Sequence, residues 1–199
     1  MTKASQFESD LTKSLNACLR SQSINAIAYR HFEHKKNEQL FDILMDTRGV
    51  ELYFAFECKT IDYANYKRLY FSSAFSSTNA GHQIERESEF LKMSGRAGVL
   101  AVELRNCEDR RKRCLFIGWP SVIKHWNENK TGIDLRDLER FMVIERKGGL
   151  YQIEVDDLLG INYLGRRKKT TGPFTSFKTV QASKAMQEAK DVWGKKRGD

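Results

Sequence analysis

The chain has 199 residues, which is the size of one domain with room for a short appendage. Apolar side chains make up 40% of the sequence and include 12 Phe and 7 Tyr, enough for a sizeable core. Charged residues make up 30%, and the absence of any apolar run approaching ~18 residues excludes a membrane-spanning helix.

Cysteine spacing and the start of the chain bear on the compartment. The four cysteines form no CxxC pair and no zinc-ligand spacing; they are Cys18, Cys58, Cys107 and Cys114. No signal-peptide core follows Met1. We therefore expect reduced thiols and a cytoplasmic location, in the host cytoplasm if the protein is viral.

Positive charge is concentrated in the last part of the chain. The net charge is +8, and residues 165–199 contain ten Lys or Arg against three acids, which accounts for +7 of it. A near-neutral body with a basic tail favours a polyanionic partner, most simply nucleic acid, although a solubilising terminus has the same composition.

A helix and three strands are predicted first. Phe7, Leu11, Leu15 and Cys18 recur at helical spacing and predict an amphipathic helix over residues 5–21. Residues 24–32 have the composition of a strand. Two apolar runs, 38–46 and 50–59, are separated by the turn Asp46-Thr47-Arg48-Gly49 and predict a β-hairpin.

The hairpin carries three charged residues at positions that are otherwise apolar. Glu57 and Lys59 are two residues apart at the end of the second strand, so they point to the same face. Asp42 lies in the first strand, where burying a carboxylate costs several kcal/mol unless it is paired or binds a metal. Two acids and an amine on adjacent strands suit metal-assisted hydrolysis of a phosphodiester.

The elements after the hairpin continue the α/β pattern. Residues 60–80 show no regular period and are predicted to form an aromatic and basic loop. A charged helix over 81–94 ends at Gly95, and a short helix begins at Trp119. A last helix is expected over residues 180–193. The remaining predicted strands are 99–102, 114–117, 141–145 and 150–155. This order predicts a sheet flanked by helices and excludes an alternating doubly wound fold.

The spacing of Phe41-Asp42 from Glu57-Cys58-Lys59 within one hairpin resembles the PD-(D/E)xK nuclease superfamily, with Phe41 where that family usually has proline. The layout is most similar to Holliday junction resolvases of the archaeal Hjc and bacterial RecU type. Glu8 in the first helix and His82-Gln83 at the start of the next long helix carry this closer resemblance, which covers about residues 5–118.

The resemblance implies a restriction-endonuclease-like αβββαβ core with a mixed central sheet. We expect a nuclease domain over residues 1–164 and, outside the resemblance, a basic C-terminal extension over residues 165–199 that can be partly helical. The implied activity is that of an endonuclease that depends on Mg²⁺, for which Mn²⁺ can substitute. Its substrate would be a four-way DNA junction, which it would cut as a homodimer. We expect no membrane partner.

The resemblance also implies roles for individual residues. Asp42, Glu57 and the main-chain carbonyl of Cys58 would bind the metal ion. Lys59 would orient the attacking water or stabilise the transition state, and Gln83 would position the water or the phosphate. Glu8 would complete the site or hold a second ion.

Basic residues in three places are candidates for contacts with DNA. They are Lys35 and Lys36 beside the site, Lys67 and Arg68 in the aromatic loop, and Arg166, Arg167, Lys168 and Lys169 in the tail. A solvated turn explains the first pair equally well. The aromatic residues of 60–80 either cover the core or stack on bases, a contact worth ~1–3 kcal/mol per base.

Two other interpretations stay open at this point. One is a nuclease of the same superfamily that has a restriction or repair specificity. The other is a DNA-binding protein on the same fold that does not cut, which the intact set of Asp42, Glu57 and Lys59 disfavours.

Deletion of residues 165–199 tests the role of the tail. We expect weaker binding to every form of DNA and a flatter salt dependence, because each lost phosphate contact removes about 0.9 from the slope of log K against log salt. Cleavage at saturating substrate should persist, since all the candidate catalytic residues lie outside the deletion. An unchanged salt slope, measured by fluorescence anisotropy from low to high salt, would mean that the tail only solubilises the protein.

Overall fold

A computed structural model of the protein describes residues 3–31, 40–48, 52–109, 111–136 and 140–164. The helices are α1 (Lys3–Ser21), α2 (Phe71–Ala74), α3 (Gln83–Ser94), α4 (Trp119–Asn127) and α5 (Val155–Leu164). Within the described ranges, no helix combines the length and the apolar character needed to cross a membrane.

The strands of the described residues fall into one large sheet and two small pairs. They are β1 (Ala26–Arg30), β2 (Ile43–Thr47), β3 (Phe54–Asp62), β4 (Arg68–Tyr70), β5 (Ser77–Thr78), β6 (Gly81–His82), β7 (Ala97–Arg105), β8 (Arg113–Gly118), β9 (Gly132–Asp134), β10 (Met142–Lys147) and β11 (Leu150–Tyr151). The large sheet has the order β1-β2-β3-β7-β8-β10-β11, while β4 pairs with β9 and β5 with β6.

The large sheet is mixed, as predicted. Strands β3 and β7 run parallel, and the other neighbouring strands of the large sheet are antiparallel. The succession α1-β1-β2-β3-α3-β7 gives the αβββαβ order. The predicted α/β class, with a mixed central sheet flanked by helices, is confirmed. The predicted basic extension and the helix over 180–193 lie outside the described residues.

Each face of the sheet carries its own apolar core. Helix α1 covers one face through four buried side chains, as its spacing predicts: Phe7, Leu11, Leu15 and Cys18. They pack with Leu52, Phe54 and Phe56 of the β3 segment. On the other face Ala55 packs with Ile84 of α3 and Trp119 of α4. Leu52, Phe54 and Phe56 therefore share one face of the sheet and Ala55 lies on the other, and both faces are buried.

Two glycines determine where α3 ends and how closely it approaches the sheet. Gly95 ends α3 with a φ of 68°, a left-handed conformation that glycine adopts without steric cost, as predicted from its position. Gly98 lies in β7 beneath the helix, where an added Cβ would overlap Leu91 and the Cβ of Trp119. The absence of a side chain at Gly98 therefore brings the inner face of α3 against β3 and β7.

The prediction that residues 60–80 lack regular structure is wrong in part. Strand β3 continues to Asp62, and β4, α2 and β5 follow. Strand β4 has only three residues, and its partner β9 lies more than 60 residues later, with Arg68 opposite Asp134. A sequence pattern within residues 60–80 does not reveal a strand whose partner lies so far along the chain. Helix α5 and strand β9 were likewise not indicated by the sequence.

Strand β1 is an edge of the large sheet, and a side chain of α1 covers part of that edge. The Asn16 amide accepts a hydrogen bond from the main-chain N–H of Ala28 at 3.0 Å and donates to the Ala28 carbonyl at 2.7 Å. It thus satisfies both backbone groups of a buried residue that has no strand on its outer side. Native proteins cover exposed edges in this manner to prevent pairing between chains.

We expect Asn16→Ala to lower the free energy of unfolding by about 2 kcal/mol, since it leaves an N–H and a carbonyl of Ala28 without their partner. Urea denaturation followed by circular dichroism measures the change. Lys13→Ala, on the exposed side of the same helix, should stay within ~0.5 kcal/mol of wild type. Equal stability of the two variants would contradict the capping role.

Candidate active site

Asp42 is held where β2 stops pairing with β3. The main-chain N–H of Asp42 donates to the Phe56 carbonyl at 3.0 Å, and its carboxylate Oδ2 then accepts the N–H of Cys58 at 2.7 Å. Strand β2 begins at Ile43 and not at residue 38, so Asp42 precedes the strand in which it was predicted. Its side chain replaces the backbone partner that β2 does not provide to Cys58.

Glu57 and Lys59 lie on one face of β3, as the alternation of a strand predicts. The Lys59 ammonium is 2.5 Å from Glu57 Oε1, and Glu57 is 3% exposed. The ammonium also lies 5.0 Å from the ring centroid of Phe75. The two acids and the lysine of the predicted site are therefore brought together around Cys58.

Gln83 reaches the same carboxylate from the start of α3. His82 precedes the helix and accepts the N–H of Ile84 through Nδ1 at 3.3 Å, so α3 begins at Gln83. Burial lowers the pKa of His82, which favours the neutral ring that this contact requires. In the first turn, Gln83 Nε2 donates to Glu57 Oε1 at 2.9 Å. The prediction that Gln83 joins the site is consistent with this contact.

Glu8 approaches the site from the other face of the sheet. It forms an ion pair with Arg30 of β1, and both side chains are largely buried. Its charge is one of those that raise the pKa of Asp42. Glu8 thus lies within electrostatic reach of Asp42, although its direct partner is Arg30.

Glu87 is a further acid of the site that the sequence analysis did not single out. It is 0% exposed, and its Oε1 accepts the second amide hydrogen of Gln83 at 2.7 Å. Its place in α3 was detectable, because it stands four residues after Gln83 and four before the inward-facing Leu91. Helical spacing alone therefore puts it on the buried face.

The carboxyl groups of the site repel one another. Burial and then the charge of Glu57 raise the pKa of Asp42 to about 7, against the lowering effect of the Cys58 N–H. Burial and then the charge of Glu57 also raise the pKa of Glu87. Burial alone would lower the pKa of Lys59, but Glu57 outweighs it and the net shift is upward.

Among the described residues, Asp42, Glu57 and Glu87 bring three carboxyl groups close to the Lys59 ammonium. Protons or a divalent cation lower the repulsion among these carboxyl groups, so the site is suited to a cation.

The oxygen donors available fit Mg²⁺. Cys58 directs its N–H toward Asp42, and in an extended strand the carbonyl of the same residue points to the same edge. Asp42, Glu57 and this carbonyl therefore supply oxygen ligands. Across the ranges that the structure describes, no group of three His, Cys, Asp or Glu side chains converges on one point. Mg²⁺ needs only one or two carboxylates, since it keeps several waters. The Cys58 thiol is not a donor, because burial raises its pKa well above the ordinary value.

The predicted DNA-contacting residues that the structure describes are engaged within the protein. The Lys67 ammonium lies 3.7 Å from the ring centroid of Tyr63, and Arg68 is 3.5 Å from the Asp134 carboxylate. The other candidates lie outside the described residues: Lys35, Lys36, Arg166, Arg167, Lys168 and Lys169. Their role stays a prediction.

The aromatic residues of 60–80 divide into two groups. Phe71 and Phe75 are buried in the core, where Phe71 contacts Trp126 and Phe75 contacts Trp119. Tyr66 and Tyr70 are 59% and 44% exposed. The two tyrosines are therefore the members of this segment that are available to stack on bases.

Comparison with known proteins finds matches among solved structures. No family model and no curated protein matches the chain. Among solved structures, the chain is similar to Hjc, a Holliday junction resolvase from Archaeoglobus fulgidus, an archaeal hyperthermophile. The identity is 15%, the match covers 74% of this chain and 91% of that chain, and the TM-score is 0.34. The function of the site is therefore inferred from its own residues.

The raised pKa of Asp42 predicts how stability depends on pH in the absence of metal. The folded protein keeps the Asp42 proton up to about pH 7, whereas the unfolded chain loses it near the ordinary value of 3.8. The free energy of unfolding should therefore fall as the pH rises through this interval. Between pH 5 and pH 8 we expect wild type to lose about 3 kcal/mol more than Asp42→Asn, at ~1.4 kcal/mol for each pH unit below the folded pKa.

Chemical denaturation in EDTA at several pH values tests this. Glu85→Gln, which removes an exposed acid of α3, should follow the wild-type profile. Parallel profiles for wild type and Asp42→Asn would show that Asp42 is ionised throughout.

Proposed function

We propose that the protein is a metal-dependent DNA endonuclease. The observation that carries the proposal is the arrangement around Cys58, where Asp42 accepts the Cys58 N–H and Glu57 and Lys59 flank it on one strand face. A cluster of buried carboxyl groups and a partly exposed lysine suit a site in which a cation faces a phosphodiester.

Each side chain has a part that follows from its position. Asp42, Glu57 and the Cys58 carbonyl would hold Mg²⁺, which lowers the pKa of water and neutralises charge on the phosphate. The Lys59 side chain is 20% exposed, so its ammonium is able to turn from Glu57 to a substrate phosphate and stabilise developing negative charge. Gln83 fixes Glu57 through its amide, and Glu8 adds negative charge behind Asp42.

The specificity that we propose is for four-way DNA junctions, cut as a homodimer. The resemblance carried by Glu8, His82-Gln83 and the hairpin supports this assignment. Symmetric resolution of a junction requires two equivalent active sites, and an isologous dimer supplies them. A nuclease of restriction or repair specificity would use the same site on a different DNA form.

A panel of substrates separates these activities. Purified protein with Mg²⁺ would be incubated with junction, flap, single-stranded and duplex DNA of shared sequence. Paired symmetric nicks in the junction alone support resolution, and cleavage of duplex or flap DNA supports the other nuclease specificity. Binding without cleavage of any of the four, under Mg²⁺ or Mn²⁺, would overturn the proposed activity.

Three substitutions test the site itself. Asp42→Asn, Glu57→Gln and Lys59→Ala should each reduce the cleavage rate by at least a hundredfold while leaving DNA affinity within about threefold. Each removes a metal ligand or the charge facing the phosphate, whereas affinity rests mainly on phosphate contacts elsewhere. Single-turnover cleavage and anisotropy measure the two effects.

Matched controls on exposed positions of α3 are Glu85→Gln and Lys92→Ala. Both should cleave at the wild-type rate. Wild-type cleavage by any one of the three site variants would remove the assignment.

A further inference from the structure

Glu87 has no part in the chemistry proposed above, yet its burial is costly. It lies fully buried on the inner face of α3. It is also close enough to Glu57 for the charge of Glu57 to raise its pKa. A buried acid beside another acid lowers stability unless it has a partner. Its side chain forms hydrogen bonds with the amide of Gln83 and with the carboxyl group of Glu57.

The Gln83 amide is fully committed. Its two N–H groups go to Glu57 Oε1 at 2.9 Å and Glu87 Oε1 at 2.7 Å. Its Oε1 accepts the Ser76 N–H at 3.0 Å and the Ser76 hydroxyl at 3.3 Å. Ser76 also accepts the Gln83 N–H through its carbonyl at 2.9 Å. The amide therefore has one orientation, with nitrogen toward the two acids and oxygen toward Ser76.

Glu87 holds the nitrogen of the Gln83 amide toward the two acids. Without it, one N–H of the partly buried Gln83 amide would lose its acceptor, and rotation of the amide would relieve that loss while breaking the contact to Glu57. Since burying an unpaired polar group costs ~1–3 kcal/mol, the bond to Glu57 alone would not hold the side chain.

We propose that Glu87 is a positioning residue, which acts through Gln83 to fix the Glu57 carboxylate for metal binding. The inference deepens the proposed function and rests on it. Glu87 itself does not touch the metal or the phosphate. A residue with a purely structural role would be needed for stability, whereas replacement of Glu87 by an apolar side chain should leave stability unchanged or higher.

Glu87→Leu, Glu87→Gln, Gln83→Leu and the double variant Gln83→Leu/Glu87→Leu test this. We expect Glu87→Leu to slow single-turnover cleavage more than tenfold and to raise the Mg²⁺ concentration for half-maximal rate. Glu87→Gln keeps an acceptor oxygen for Gln83 and should stay within about threefold of wild type. The double variant should cleave no more slowly than Gln83→Leu alone, because both changes remove the same constraint.

Leu91→Ala is the matched control for a defect of the helix alone, since Leu91 is buried on the same face of α3. It should lower the melting temperature and leave the rate per folded molecule and the Mg²⁺ requirement unchanged. If Glu87→Leu behaves in the same way, or if its effect adds in full to that of Gln83→Leu, the positioning role is overturned.

Calorimetric titration with Mn²⁺ alone separates this inference from the proposed activity. Glu87→Leu and Gln83→Leu should weaken Mn²⁺ binding by the same factor, and Glu87→Gln should retain it. This result with a wild type that cuts no DNA would support the positioning of Glu57 and reject the nuclease. Unchanged Mn²⁺ affinity in Glu87→Leu would overturn the positioning role whether or not the wild type cuts.

Discussion

The hydrogen bond from the Cys58 N–H to Asp42 Oδ2 sets the geometry of the whole site. It forms where β2 no longer provides backbone partners to β3, so a carboxylate takes the place of a strand residue. Because Glu57 and Lys59 flank Cys58, this bond fixes Asp42 relative to both. A site built on a strand ladder is held more firmly than one built on a loop.

The second constraint is electrostatic. Asp42, Glu57 and Glu87 lie near the Lys59 ammonium, and burial together with the charge of Glu57 raises the pKa of both Asp42 and Glu87. Protons therefore compensate the charge in the metal-free protein, and a divalent cation would displace them on binding. The low intrinsic stability of such a cluster is typical of functional sites, where activity is retained at the expense of the fold.

Most of the site was predictable, because its signals are local. Strand alternation and one turn are enough to place Glu57, Lys59 and Asp42 together. Helical spacing puts Glu87 on the inner face of α3, but it was missed because a glutamate at a buried position is unusual without a partner, and that partner, Glu57, lies on another element. Packing decides the burial of Glu87: Gly98 lets α3 approach β7, and the face that includes Leu91 is the one enclosed. Strand β4 was missed because its partner, β9, is remote in sequence.

The apolar core on the α3 face also orients the charged groups. Phe75 is buried against Trp119, the Lys59 ammonium lies over its ring, and the next residue, Ser76, holds the oxygen of the Gln83 amide. The ring of Phe75 and the hydrogen bonds of Ser76 thus constrain the lysine and the glutamine of the site. A loss of packing at Phe75 would therefore be transmitted to Lys59 and, through Ser76 and Gln83, to Glu57, so the core and the chemistry of this face depend on the same contacts.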